Sequence, residues 1–358
     1  MKTKIVVLGA GRWGTHLVRN FWEHPDAELV AVVDPFLERL TTLKNRLNFN
    51  SDVVLATDWE SLRGTLEIDA VVIATPAVTH YSLIQDALVR GYHILAEKPL
   101  TLTARESLEL CRLAQQQQRQ LMVDHTYLFH PAVTRGKEVV ESECLGELHY
   151  GYAARTNLGP VRQDVDAVWD LAIHDIAIFN NWLGELPVQV QAIGKVWLQK
   201  GEGKEDRGER DEYYPLPAQG LADFVRVTLT YPSGFLAEIH LCWSNPDKQR
   251  RLAVVGSRGT LIFDEMQSET PLTIQHGYFQ QEGEFFNPAG IRCEVMEIEK
   301  KEPLGVVCDR FLASVRSNEV STVSSGWVGA DLVQILNCLS QSLAEGGKAV
   351  TIPPSSPS

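Results

Sequence analysis

Within AVWDLAIHDIAIFNNWLGELP (residues 167–187), Asp170 and His174 stand four positions apart. A carboxylate and an imidazole on one helix face can take a proton from a hydroxyl and return it, because imidazole titrates near neutrality. The stretch from Val168 to Leu183 is otherwise apolar nearly all round and closes on Gly184, which predicts a buried helix with a glycine stop. Asn181 falls on the same stripe as the pair, and Asp175 points elsewhere. An Asp–His pair satisfied within the core is the plain structural alternative. HILAEKPLTL (93–102) is a second candidate: a buried-strand pattern that runs into Glu97, Lys98 and Pro99. An ammonium at a strand tip can hydrogen-bond an oxygen on which negative charge develops. The alternative there is a strand that surfaces and turns.

GAGRWG supplies Gly9, Gly11 and Gly14 in GxGxxG spacing, with a strand pattern before it and a helix pattern after it. Asp34 closes the second strand pattern about 20 residues on, where a dinucleotide site places its ribose acid. Gly9 would permit the tight turn, Gly11 would leave room for a pyrophosphate, and Gly14 would let helix and strand pack closely. The helix N-terminus would offer free N–H groups to the anion. Asp34 favours NAD over NADP, because a carboxylate accepts from both ribose hydroxyls and repels a 2′-phosphate. Arg39 weakens that preference slightly.

The elements that must position these groups fall into two blocks. Up to residue 124, short β-branched runs (4–9, 28–34, 52–56, 69–75, 92–97 and 121–124) alternate with helix patterns such as 103–118. That pattern predicts a doubly wound parallel sheet of α/β Rossmann type with helices on both faces. With strand order 3-2-1-4-5-6, Gly9, Asp34, Thr75 and Lys98 share the carboxyl edge, where such sheets bind ligands. From 125 to 358, long strand patterns at 147–156, 188–198, 222–231, 234–243, 249–257 and 259–265 dominate. YPSGF and GSRGT read as turns between antiparallel neighbours. This predicts an α+β domain with one large, mostly antiparallel open sheet. A C-terminal helix that packs back on the first domain is compatible with it. The charged stretch 200–215 reads as a loop, and PPSSPS as a frayed end.

ATPAVTHYSLIQDALVRGYHILAEKPL (74–100), taken with the glycine turn and the Asp170/His174 helix, resembles the Gfo/Idh/MocA oxidoreductases. The resemblance runs through nearly the whole chain and implies an NAD-using dehydrogenase. Lys98 matches the family's catalytic lysine, Asp170 and His174 its acid–base pair, and a cis peptide before Pro99 is expected. It implies a cofactor site of Gly9, Gly11, Arg12, Trp13, Gly14, Asp34, Thr75, Pro76, His80, Glu97 and Lys98. It implies substrate contacts from Lys98, Tyr127, Arg155, Asn157, Arg162, Asp170 and His174, with His125 a lesser candidate and Trp169 a core residue. The expected substrate is a sugar, an inositol or a UDP-N-acetylhexosamine-like nucleotide sugar, whose phosphate Arg155 or Arg162 could meet. Two alternatives stay open: a glycoside hydrolase that uses NAD transiently, and a non-catalytic dinucleotide-binding regulator.

The 358 residues suffice for two domains, and a formal net charge of −13 argues against nucleic-acid or anionic-membrane partners. No apolar run approaches a membrane span, and the first strand begins too early for a signal peptide. Six scattered cysteines form no CxxC pair, so neither a disulfide framework nor a zinc site is expected and a reducing cytoplasm is the default. His125, His130 and His174 have no spacing that demands a metal. A broad sheet face to cover favours a homodimer or homotetramer.

Overall fold

The computed structural model describes residues 2–49, 52–62, 64–200 and 220–354. Most of the charged stretch and the last four residues therefore lie outside the described residues. The chain divides into two units.

The first unit contains β1 (Thr3–Leu8), α1 (Arg12–Glu23), β2 (Ala27–Val33), α2 (Leu37–Leu47), β3 (Val54–Ala56), β4 (Ala70–Ile73), α3 (His80–Val89), β5 (His93–Glu97), α4 (Ala104–Gln116) and β6 (Leu121–Asp124). The six strands pair in parallel in the order β3-β2-β1-β4-β5-β6, as the alternating pattern predicts. Ile5, Val6, Val7, Val71, Val72, Ile94 and Leu95 are wholly buried, which is why these strands read as continuous β-branched runs. A sheet covered on both faces has no polar side to alternate with. The unit extends through Phe129 and also takes in 301–333, a segment expected in the second domain.

The second unit spans His130–Lys300 and resumes at Gln334. It holds α5 (Pro131–Glu141), β7 (Leu148–Leu158), α6 (Ile173–Leu183) and β8 (Gln189–Lys195), then β9 (Phe224–Thr230), β10 (Leu236–Cys242), β11 (Ser244–Gly256), β12 (Gly259–Asp264), β13 (Leu272–Glu282) and β14 (Phe285–Val295). Two further helices, α7 (Pro303–Ser317) and α8 (Gly326–Ala344), precede the short strand β15 (Val350–Thr351). The nine-stranded sheet runs β14-β13-β12-β11-β7-β10-β9-β8-β15, antiparallel except for β7 beside β10. Helix α6 backs this sheet closely: a Cβ on Gly151 of β7 would lie 2.6 Å from the Phe179 ring. The α5–α6 contact is tighter still, since a Cβ on Gly136 would lie 2.3 Å from the Trp182 ring, whose Nε1 donates to the Val133 carbonyl at 2.8 Å.

Helix α7 rejoins the first unit, its Phe311 edge-on to Phe21 of α1 at 6.3 Å. At the start of α8, side chains at Gly326 and Gly329 would strike Leu121 and Val123 at 2.8 Å, so these glycines let the helix lie against β6.

Candidate functional site

In the first unit the functional groups gather where the parallel strands end. The chain leaves β1 through Gly9 at φ +99°, where a Cβ would stand 2.4 Å from the Ala74 carbonyl oxygen. Only glycine fits there, on both conformational and steric grounds. A Cβ on Gly14 would stand 2.0 Å from the Gly9 oxygen, which explains the close helix-on-strand contact. Gly11 differs: nothing in the protein lies within 4 Å of its missing Cβ. It caps α1 without a side-chain hydrogen bond, so the helix N-terminus keeps donors available for an anion. A cramped Gly9, a cramped Gly14 and an open Gly11 fit a dinucleotide pyrophosphate. Arg12 and Trp13, on the first turn of α1, are exposed.

Asp34, 2% exposed, follows β2. Its Oδ2 accepts from the Ala10 N–H at 2.8 Å and its Oδ1 from the Phe36 N–H at 2.9 Å, which ties the carboxylate to the glycine turn. The Arg39 guanidinium lies over the Phe36 ring at 4.4 Å and reaches Asp34 at 3.5 Å. Each carboxylate oxygen still has a lone pair for a ribose hydroxyl, beside a cation that suits a phosphate.

β4 ends at Ile73 and leads into Thr75 and Pro76, where Thr79 Oγ1 donates to Thr75 Oγ1 at 2.7 Å. His80 is 1% exposed, with Nε2 at 2.9 Å from the Thr75 carbonyl and Nδ1 at 2.9 Å from the Pro99 carbonyl. It fastens the turn after β4 to the turn after β5, so its ring acts on the turns that line the edge. The Lys98–Pro99 peptide is cis, as the resemblance implies. Lys98 is half-buried, and its N–H donates to Glu97 Oε2 at 3.2 Å.

Three residues at or just past the end of β6 complete this edge. Asp124 stands opposite Glu97 in the β5–β6 register. Burial raises its carboxyl to about 6, against a hydrogen bond from Thr126 and the charge of Lys98, which both lower it. His125 is buried, its Nδ1 2.7 Å from Ser324 Oγ, and burial with the nearby Lys98 charge lowers it to about 3. Tyr127 lies half-buried in the short helical turn that follows.

The second unit carries the other predicted groups. The expected continuous α-helix from Val168 begins instead as a π-helical turn, Val168–Ala172, before α6 proper. Asp166 Oδ1 accepts from the Val168 and Trp169 N–H groups at the head of this turn. A π turn holds more residues than an α turn and recurs at functional sites; here it carries Asp170. Trp243 Nε1 donates to Asp170 Oδ2 at 3.3 Å, and Arg162 NH1 lies 3.6 Å from Asp170 Oδ1. Arg162 is itself held by Asp164, with Nε donating to Oδ1 at 2.8 Å and NH2 to Oδ2. His174 is half-buried in the first turn of α6. Asn181, expected on the same stripe, meets Lys137 at 3.4 Å. Trp169 is buried, as expected of a core residue, with Nε1 donating to Ser340.

Arg155 and Asn157 turn inward. Arg155 makes a bidentate ion pair with Asp175, and both side chains are almost fully buried. Asn157 donates to the Gly159 carbonyl and accepts from Arg250, each at 2.8 Å. These contacts commit both residues to holding the end of β7 and its following loop. Sequence reading passed over Trp243 and Asp164 as partners of the Asp170 region. It also passed over Asp124, although MVD at the end of β6 repeats the VVD that drew attention to Asp34.

Residues 3–125 match a family model described as an oxidoreductase family with an NAD-binding Rossmann fold, and residues 133–262 match the GFO/IDH/MocA C-terminal domain. The chain is 24% identical over 317 residues to a UDP-N-acetylglucosamine 3-dehydrogenase of Acidithiobacillus ferrooxidans, covering 87% of this chain and 88% of that one. It is 27% identical over 287 residues to an inositol 2-dehydrogenase of Rhizobium meliloti, covering 77% and 78%. The solved structure of the Acidithiobacillus ferrooxidans dehydrogenase aligns with a TM-score of 0.78 at 22% identity, over 97% of this chain and 99% of that one. At that identity the likeness establishes the fold.

Proposed function

The chain belongs to the Gfo/Idh/MocA family of NAD-binding oxidoreductases, and from that premise we propose that it acts on a secondary alcohol carbon of a sugar, a nucleotide sugar or an inositol. One observation carries the reading: Lys98 directly follows β5 on the edge of the sheet where Gly9 turns after β1 and Asp34 follows β2. The bound dinucleotide would accept or supply the hydride there. The Gly9–Gly14 turn and the N-terminus of α1 would hold its pyrophosphate, and Asp34 its ribose, with NAD preferred over NADP. His80 would keep Thr75, Pro76 and the Glu97–Lys98 turn in register.

In this reading Lys98 and His174 have separate roles in the transfer. The Lys98 ammonium donates a hydrogen bond and stabilises the developing alkoxide. The His174 imidazole takes the hydroxyl proton and returns it in the reverse direction. Asp170, aimed by Arg162 and Trp243, accepts from a neighbouring hydroxyl. Arg162 thus enters as a positioning residue, since Asp164 already occupies its guanidinium, and Tyr127 remains a candidate substrate contact. The similarity to a UDP-N-acetylglucosamine 3-dehydrogenase supports a UDP-N-acetylhexosamine-like substrate.

Self-association through the nine-stranded sheet belongs to the same proposal. Phe279, Phe285, Phe286 and Ile291 on the β13–β14 hairpin are strongly exposed, apolar surface that a second copy would cover. Six unpaired cysteines support a reducing cytoplasm. Among the described residues, no helix is long and apolar enough to cross a membrane.

The test is a panel of UDP-sugars, free sugars and inositols with NAD, followed at the NADH absorbance. NADH should form with at least one of them and vanish in Lys98→Ala and His174→Ala. Turnover that survives in Lys98→Ala would overturn the assignment. Cleavage of a glycoside without net NADH would favour the hydrolase, and NAD binding without turnover across the panel the regulator.

A further inference from the structure

Asp166 stands at the head of the π turn that carries Asp170, and the turn is built on it. Its Oδ1 accepts from the Val168 N–H at 3.0 Å and from the Trp169 N–H at 3.2 Å. Its carbonyl accepts from the Asp170 N–H at 3.2 Å. The N–H of Ala167, just before the turn, donates to the Ala222 carbonyl at 3.0 Å. The N–H groups that a helix start leaves open are thus closed from 167 to 170, three of them by one residue. With its own donors so engaged, the task left to this cap is to fix geometry.

The geometry it fixes is a phase. In an α-helix, residues four apart differ by about 40° around the axis. A π turn takes in more residues per circuit. Across Val168–Ala172 the four steps from Asp170 towards His174 therefore come closer to one full circuit, and the two side chains leave the helix more nearly in line. The surroundings of Asp170 are set for that phase and cannot follow a slip. Trp243, whose Nε1 donates to Asp170 Oδ2 at 3.3 Å, is fixed to the sheet: its N–H donates to the Asp223 carbonyl and its carbonyl accepts from the Gly159 N–H, each at 2.9 Å. Trp169, one residue before Asp170, is held by Ser340 Oγ at 2.9 Å. Arg162, 3.6 Å from Asp170 Oδ1, is held by Asp164.

We propose that Asp166 is a positioning residue for Asp170: its side-chain cap holds the π turn, and the π turn sets the Asp170 carboxylate in line with His174 and against Trp243. The inference rests on the reading of Asp170 and His174 as groups that meet the substrate. The cap requires an acceptor oxygen at one place, not a charge. An asparagine supplies that oxygen about as well as an aspartate. A glutamate, one methylene longer, keeps the charge and misplaces the oxygen. Without the cap, the N–H groups of the buried residues Val168 and Trp169 lose their acceptor, and the turn is free to relax to α geometry.

The intact chain is labelled with 15N at its eight tryptophans, and the indole N–H signal of Trp243 is assigned by its absence in Trp243→Phe. Asp170→Ala gives the position of that signal without the carboxylate. In Asp166→Ala and Asp166→Glu the signal should move towards that position, and in Asp166→Asn it should stay where it is in the unsubstituted protein. Asp166→Glu preserves the test if Asp166→Ala does not fold. This readout needs neither substrate nor turnover, so its failure is separable from failure of the dehydrogenase reading. With a substrate identified by the panel, kcat should fall at least about tenfold in Asp166→Ala and Asp166→Glu, with NAD affinity unchanged, and recover in Asp166→Asn. A Trp243 signal unmoved in Asp166→Ala and Asp166→Glu, or moved as far in Asp166→Asn as in Asp166→Glu, would overturn the proposal.

Discussion

Arg155 of β7 and Asp175 of α6 form a bidentate ion pair, Nε to Oδ2 at 2.9 Å and NH2 to Oδ1 at 2.8 Å, with side chains only 2% and 1% exposed. The pair pins the sheet to the helix that carries His174, one residue before Asp175. Removing one partner strands the other charge in the interior. Arg155→Met should therefore destabilise the protein by about 3–5 kcal/mol in urea unfolding. The double variant Arg155→Met/Asp175→Leu should recover most of that loss, because both charges leave together. A single-variant loss of under about 1 kcal/mol would show that the pair is not isolated from water.

This ion pair also marks the limit of what sequence can show. The parallel sheet was legible because strands buried on both faces are written as unbroken apolar runs, and its order was taken as the usual one for a doubly wound sheet. The antiparallel β9–β10 and β11–β12 hairpins were legible through YPSGF and GSRGT. Strands β13 and β14 were not, because most of their side chains are exposed and no apolar alternation announces them. The return of residues 301–333 to the first unit was anticipated only as a C-terminal helix that packs back on the first domain, since packing across a long sequence gap leaves no local periodicity to give its bounds. Lys98, Asp170 and His174 stood out as polar residues in apolar surroundings. The contacts around them did not: Trp243 meets Asp170 from 73 positions away, and Arg155, expected to meet substrate, is buried against Asp175. The π turn at Asp170 was hidden because an apolar stretch fits π and α geometry alike.

Cofactor choice should depend on the balance between Asp34 and Arg39. Asp34 offers acceptors to ribose hydroxyls, and Arg39 offers charge to a 2′-phosphate. Asp34→Ala frees that guanidinium from its carboxylate neighbour. The variant should gain affinity for NADP and lose it for NAD, moving the ratio by about 10–100-fold, or roughly 1.4–2.8 kcal/mol. Adding Arg39→Ala should remove the gain in NADP binding. Titration of both dinucleotides by tryptophan fluorescence checks this, and an unchanged ratio in Asp34→Ala would remove the role given to that residue.

His80 joins two strand-end turns through both ring nitrogens, each at 2.9 Å from a carbonyl oxygen. A neutral ring has one N–H, so donation to both carbonyls takes the imidazolium. His80→Ala leaves two carbonyls unpaired, and should cost about 1–3 kcal/mol of stability. His80→Asn should recover only part of it, since one amide cannot span both turns. The informative comparison is NAD affinity measured well below the unfolding temperature of each variant. A folded His80→Ala protein that binds NAD as tightly as the unsubstituted chain would show that the link between the turns does not shape the cofactor edge.

Asp124 makes the stability itself depend on pH, with a sign opposite to that of an ordinary salt-bridged carboxylate. Burial raises its folded-state value from 3.8 to about 6, so between those values the folded protein holds a proton that the unfolded chain has released. Its contribution is fully present below about pH 4 and is lost as pH rises through 6. Asp124→Asn removes the titration and leaves a neutral polar group of similar shape. Relative to the unsubstituted protein, the variant should therefore gain stability on going from pH 5 to pH 8, by roughly 1–2 kcal/mol. Urea unfolding of both proteins at the two pH values reads the difference directly. A difference that stays constant, or in which the variant loses ground on the unsubstituted protein as pH rises, would mean that Asp124 is already ionised at pH 5 in the folded chain and that Lys98 compensates it more fully than its burial implies.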